Sequence, residues 1–507
     1  MRALPLLVLA FLSANIFGEE SPQKIYGQYC VACHGENRLG GMGPALLPEN
    51  LARLKKADAV RMIRDSRPGV QMPAFRDALP ASGIEALAGW IYTPVTPPPA
   101  WGEDEIRASR IVLHAAGTLP AKPKYAADPL NLFVVVEAGD HHVTILDGDR
   151  LEPIFRFASR FALHGGPKFS PEGRYVYFAS RDGWITKFDL WNLETVAEVR
   201  AGINSRNAAV SSDGRYVMVA NYLPQSIVVL DDQLNFVKEL KTGSSVSAVY
   251  DAAPRKSFIA ALKDVPELWE ISYDPAAEPV AEGLVHDFRS REGAFLPGFL
   301  NPRRTALEDV LDDFFFTPDY RELIGAHRDG KRGQVVQLDV RRVVATLDLP
   351  GLPHLGSGIS WERNGRRVMA TPNLSEGLVS IIDVGTWKII KQVPTLGAGF
   401  FLRSHEATRY AWVDSMMSPK GRDTLELIDK DTLEVAARLT PAPGHTLAHV
   451  EFDRYGRYAL ASLWEDDGAL IVFDARTLKE VKRIPMKKPV GKYNVWNKIG
   501  GSEGTSH

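Results

Sequence analysis

Phe169-Ser170-Pro171-Glu172-Gly173-Arg174-Tyr175-Val176-Tyr177-Phe178, followed by Trp184-Ile185-Thr186-Lys187-Phe188-Asp189, states the unit from which most of this chain is built. A polar turn opens it, an apolar strand follows, a short loop intervenes, and a second strand ends at an aspartate. Val210-Ser211-Ser212-Asp213-Gly214-Arg215-Tyr216-Val217-Met218-Val219, leading to Ser226-Ile227-Val228-Val229-Leu230-Asp231, repeats the cadence. It returns at 361–382, 403–428 and 452–473. Arg174 and Arg215 stand 41 residues apart, and Arg366 and Arg409 stand 43 apart. A period near 40 residues with this turn–strand–loop–strand order is the mark of propeller blades. Weaker copies bring the number of units to eight, near 131–155, 169–199, 210–240, 249–274, 315–348, 360–391, 402–436 and 450–483. A blade cannot bury both of its faces alone, so the units stack around an axis and closure removes the free ends. The segment after Lys488 is placed to return to the first unit and close the ring. Residues 275–314 read as an insertion between two blades.

The remainder bounds what else the 507 residues hold. That length exceeds one ordinary domain. Lys+Arg at 60 against Asp+Glu at 62 leaves no field that draws nucleic acid. Arg2 precedes a mostly apolar run over 3–17, too short to span a bilayer, and charge resumes at Glu19-Glu20; this reads as an export signal over 1–18. Pro94-Val95-Thr96-Pro97-Pro98-Pro99 reads as a stiff spacer. The expected order is therefore a helical unit over 22–93, a linker over 94–128 with a short helical piece from Asp104 to Leu113, and a propeller over 129–507. The mature chain is expected to be periplasmic, with no membrane span.

The helical unit carries Cys30-Val31-Ala32-Cys33-His34, and these are the only two cysteines of the chain. That spacing is the attachment signature of a covalent haem c, with His34 as the proximal iron ligand. Helical spacing of apolar residues runs over 51–64 and again over 84–92. Between them lies Met72-Pro73-Ala74-Phe75. Methionine is a common sixth ligand of such an iron. Met72 is the favoured candidate, Met42 its rival, and Met62 reads as core packing. The unit resembles small bacterial class I cytochromes c, which carry Met-Pro-x-Phe in this place. The fold expected for the whole is a small all-α class I cytochrome c domain followed by an all-β eight-bladed propeller.

Three stretches of the propeller stand out as chemistry. Phe161-Ala162-Leu163-His164-Gly165-Gly166-Pro167 enters a blade, and Gly351-Leu352-Pro353-His354-Leu355-Gly356-Ser357-Gly358 enters another. Gly491-Lys492-Tyr493-Asn494-Val495-Trp496-Asn497 ends the last element. Other histidines read as ordinary: His445 and His449 as structural groups before a strand, His141 and His142 as an exposed turn, His327 and His405 as solvated turns.

Together these stretches resemble the cytochrome cd1 family, which joins a cytochrome c domain to an eight-bladed propeller holding haem d1. The resemblance covers nearly the whole mature chain. It implies that His164 ligates the d1 iron and that Arg181 and Arg206 hold carboxylates of the macrocycle, as guanidinium forks do. It offers two activities: reduction of nitrite to nitric oxide, and oxidation of a propionate of dihydro-haem d1 to an acrylate as the last step of haem d1 synthesis. A non-enzymatic d1 carrier is a third reading. In Val393-Pro394-Thr395-Leu396-Gly397 a threonine stands where the nitrite reductases carry their second distal histidine. That departure favours the dehydrogenase. His354 is then expected as the base and Tyr493 as an orienting group. Dihydro-haem d1 is the expected substrate, an external acceptor takes the electrons, and a cd1 nitrite reductase is the expected recipient of the product.

Overall fold

The computed structural model describes residues 20–502 apart from 42, 53, 67–71 and 283–293. The expected export signal and Met42 fall outside the described residues. From Leu132 onward the strands form eight antiparallel sheets of a propeller. The first blade is closed as expected: Pro489–Asn494 is its axial strand and pairs with Leu132–Glu137, setting Tyr493 opposite Val134.

The repeated sequence signs have local causes. Gly173 and Gly214 occupy left-handed turns (φ 73° and 72°), and the preceding serines, Ser170 and Ser211, accept from the amides of Tyr175 and Tyr216 at 2.9 Å. In several blades an aspartate ends the third strand and caps the next turn: Asp189 Oδ1 accepts from Trp191 N at 2.9 Å, Asp231 from Gln233 N at 2.9 Å, and Asp474 from Thr477 N at 2.7 Å. Between blades, the apolar faces close on one another. Ile185, Val217, Val228 and Leu230 are fully buried in one such seam, and Phe314, Leu323 and Val336 in another. Each such side chain contributes about 1.5–3 kcal/mol by leaving water, so the seams hold the ring together.

Two expectations are corrected. The insertion is not between blades but within the fourth: Pro302–Ala306 is that blade's outer strand and Leu311–Phe316 is already the axial strand of the fifth. The weak periodicity of 302–316 hid both strands. The segment expected as a linker is packed, not free. Trp101 Nε1 donates to Arg200 O at 2.9 Å, Ile106 is fully buried, and Ile111–Val112 adds a fifth strand to the second blade beside Glu198 and Ala197. Its prolines suggested a spacer, but its apolar residues give it a face to bury. The helix there spans Glu103–Ala108 and stops before the strand, short of Leu113.

The N-terminal unit has helices Pro22–Tyr29, Val31–His34, Pro48–Leu51, Lys56–Asp65 and Ala81–Ile91. The run expected as one helix over 51–64 is two, because Lys55 is extended (φ −66°, ψ 141°). Ala45 and Leu47 pack on Ile203 of the propeller, and Arg200 donates to Leu39 O, so the two parts abut.

Candidate active site

In the N-terminal unit, Cys30 and Cys33 sit one helical turn apart. His34 Nδ1–H donates to Pro44 O at 2.8 Å, which leaves the Nε2 lone pair for a metal. Burial lowers the pKa of this imidazole, keeping it neutral as a ligand must be. A Cβ at Gly43 would stand 2.8 Å from His34 Cε1, so glycine lets that loop lie on the ring. Met72 and Met62 line the same apolar crevice. Ser66 Oγ donates to Met72 O at 2.5 Å and fixes the Met72 backbone outside any helix. These residues fit a covalent haem c.

The crevice is not confined to its own domain. It belongs to a cavity of about 1030 Å³ whose far wall is propeller: His141, Phe161, Arg181 and Tyr222. His141, expected in an exposed turn, is half-buried there.

At the propeller axis each blade contributes a polar group from its axial strand or the loop entering it. These are Tyr493 from blade 1, His164 from blade 2, Arg206 from blade 3, Tyr250 from blade 4, Asp313 from blade 5, His354 from blade 6, Arg403 from blade 7 and His449 from blade 8. Hydrogen bonds hand on from blade to blade. His164 Nδ1–H donates to Arg206 O at 2.7 Å, and Arg206 Nε to Ser247 O at 2.9 Å. Tyr250 OH donates to Asp313 Oδ1 at 3.1 Å, and Gly356 N to Asp313 Oδ2 at 2.6 Å. His354 Nδ1–H donates to Phe400 O at 2.8 Å, His449 N to Asp414 Oδ2 at 3.1 Å, and Lys492 Nζ to Ser462 Oγ at 2.8 Å. Gly166, in a left-handed turn (φ 71°), lies where a Cβ would be 3.0 Å from Tyr493 Cε1 and completes the circuit by packing.

His164, Arg181 and Arg206 form one group. Arg181 Nη2 is 2.9 Å from His164 Nε2, and Arg206 Nη1 is 3.2 Å from it. Arg206 Nη1 is nearer still to Nδ1, at 3.0 Å, and so lies against the ring, while Nε2 carries its lone pair toward Arg181, since a guanidinium can only donate. A metal ion taking that lone pair would displace Arg181 and stand beside two cationic forks.

The second group faces it from blades 6, 8 and 1. Burial lowers the pKa of His354, and the nearby Asp313 carboxylate, 3.8 Å from Nε2, opposes this. With Nδ1–H committed to Phe400 O, Nε2 is the basic atom. Burial also pushes Tyr493 up to about 12, so its phenol is a proton donor at neutral pH. His449 is fully buried with its ring 5.2 Å from that of Tyr493, and among the described residues its Nε2 has no hydrogen-bond partner. Burial first, then the Lys492 ammonium, holds its pKa well below the usual range.

Sequence reasoning missed His449 at this site. It is the extra residue of a β-bulge, between Ala448 opposite Ser462 and Val450 opposite Ala461, with φ 45°. A bulge leaves no periodic trace. Its neighbour His445, expected as a structural group, is instead exposed, at 61%. His327 and His405, expected to be solvated, are buried at 1% and 2% exposure because each closes a blade strand or turn against the core. Thr395 stays outside the axial group, donating to Gly397 O at 3.0 Å.

A covalent-haem crevice opening onto a propeller whose axis carries a histidine between two arginines defines a two-centre redox protein. The chain belongs to the cytochrome D1 heme domain family, which it matches over residues 127–286 and 297–498. Residues 19–91 match the cytochrome c oxidase, cbb3-type, subunit III family. A dihydro-heme d1 dehydrogenase from Pseudomonas aeruginosa is 54% identical over 100% of this chain and 99% of its own. A nitrite reductase from Stutzerimonas stutzeri is 25% identical over 94% and 93%. The solved structure of a dihydro-heme d1 dehydrogenase, NirN, in complex with DHE superposes with a TM-score of 0.87, covering 95% of this chain and 100% of that one at 54% identity.

Proposed function

We propose that this chain catalyses the last step of haem d1 formation, oxidising a propionate side chain of dihydro-haem d1 to an acrylate. The observation that carries this reading is full-length likeness to a dehydrogenase at 54% identity, against 25% to a nitrite reductase, together with threonine at position 395. His164 Nε2 holds the iron of the substrate macrocycle. Arg181, released from that nitrogen, and Arg206 pair with its carboxylates. His354 Nε2 accepts a proton from the side-chain methylene. Tyr493, with His449 behind it, orients the reacting arm through its phenol. The step –CH2–CH2–COO⁻ to –CH=CH–COO⁻ releases two protons and two electrons. The covalent haem c supplies a one-electron acceptor. His34 and Met72 are its proposed axial ligands, and Cys30 and Cys33 its anchors. The cavity shared by the haem crevice and Arg181 is the short way between the two centres. Electrons then leave to an external acceptor, and the product passes to a cd1 nitrite reductase. Among the described residues no helix is long and apolar enough to cross a membrane; periplasmic residence follows from the export signal and covalent haem.

The test is the visible spectrum on anaerobic mixing with dihydro-haem d1. Conversion to the d1 spectrum with reduction of haem c supports the reading. Binding without conversion in the presence of an oxidant overturns it in favour of a carrier, and sustained nitric oxide release from nitrite overturns it in favour of a reductase.

A further inference from the structure

The blade 7 member of the axial set has no part in the scheme above. Arg403 is 3% exposed, in the short axial strand Leu402–Arg403. Among the described residues its one hydrogen bond runs from Nη1 to Leu402 O, at 2.8 Å, and Nε has no partner. Three groups act on it, the Glu451 and Asp414 carboxylates and the Tyr493 phenol, and among the described residues none of them is hydrogen-bonded to it. Glu451 Oε1 accepts from Asn497 Nδ2 at 3.0 Å, and Asp414 Oδ1 from Phe400 N at 2.8 Å. A buried guanidinium with most of its donors unanswered is costly. The fork geometry of Nε and Nη2 suits a planar, two-oxygen anion.

The position says which anion. Phe401 lies 5.8 Å from the Arg403 guanidinium carbon, and its ring is 4.6 Å from that of His449 and 6.4 Å from that of His354. Arg403 therefore stands with the bases, whereas Arg181 and Arg206 stand with His164. We propose that Arg403 receives the carboxylate of the side chain that is oxidised, fixing its two methylene carbons between His354 and Tyr493. This rests on the dehydrogenase reading. The carboxylate forms no covalent bond in the step; the carbons beside it lose two protons, one to His354 and one to solvent, and two electrons that pass one at a time through haem c to the external acceptor. Clamping it also supplies selectivity among the carboxylates of the macrocycle, since the others end at the opposite arginines.

The cation has a second effect. Its field lowers the basicity of both His354 and His449. A carboxylate seated on Arg403 cancels that field, so the bases strengthen when the reacting arm is in place.

The experiment uses the holoprotein with haem c attached. Arg403→Gln is titrated with dihydro-haem d1 by visible spectroscopy, and single-turnover conversion is followed with and without added guanidinium ion. The expected result is a dissociation constant raised at least tenfold, conversion slowed at least a hundredfold, and partial rescue by guanidinium. Wild-type affinity and wild-type conversion in a folded Arg403→Gln protein overturn the assignment. If glutamine unfolds the blade, Arg403→Lys keeps the charge and loses the fork; weakened binding supports the proposal and wild-type binding overturns it. Failure of the unmodified protein to convert dihydro-haem d1 is a different result, and it sinks the dehydrogenase reading instead.

Discussion

Arg181 places Nη2 2.9 Å from Nε2 of His164, the nitrogen proposed to hold the iron of the macrocycle. His164→Ala is expected to abolish the axial-ligand signature of bound dihydro-haem d1. Arg181→Leu is expected to keep that signature and weaken binding by about 1.5–3 kcal/mol, the worth of a charge-assisted hydrogen bond. Optical titration of both variants checks this; an unchanged spectrum in His164→Ala rules out the ligand role.

His354 is the proposed base, and its replacement by alanine is expected to leave dihydro-haem d1 binding within a few-fold while slowing conversion by about 10²–10⁴-fold. The His354 pKa is lowered, so the basic form persists below the usual imidazole range, and the conversion rate falls only as pH drops through that lowered value. Asp313 raises the His354 pKa. Asp313→Asn is therefore expected to move the acid limb of the rate profile to lower pH. A shift to higher pH contradicts the assignment.

Tyr493 carries a phenol held protonated by burial, up to about 12. Tyr493→Phe removes the donor and keeps the ring beside His449. The rate of conversion is expected to drop about 10- to 100-fold, equivalent to one strong hydrogen bond, with KM little changed. A variant with the wild-type rate eliminates the hydroxyl from the reaction.

Cys30→Ala with Cys33→Ala removes covalent attachment of haem c. The propeller does not need it to bind, so dihydro-haem d1 affinity is expected to survive while conversion stops. An added one-electron oxidant that restores conversion in this variant identifies haem c as the outlet. Unimpaired conversion without any oxidant rules that out.

The architecture was legible because its causes are local and repeated. The turn serines, the left-handed glycines at 173 and 214 and the capping aspartates at 189, 231 and 474 each mark a blade in the sequence itself. His164 and His354 were legible because their loops announce themselves with glycine. What escaped depends on events with no period. His449 reaches the axis through a bulge, Arg403 sits in a strand two residues long, and the strap from Trp101 to Val112 finds its partner in a blade far along the chain. A contact made by geometry, rather than by spacing, leaves no pattern to read.

The strand that closes the ring also brings Tyr493, and it joins the two ends of the propeller sequence. Asn131 and Asn494, which are 363 residues apart, bond across that seam. Such distant pairing is a late and slow event in folding. Until that pairing forms, a chain has His164 and its arginines but lacks the phenol, and it is expected to react more slowly. The clasp thus ties the full rate of the reaction to a fully wound ring.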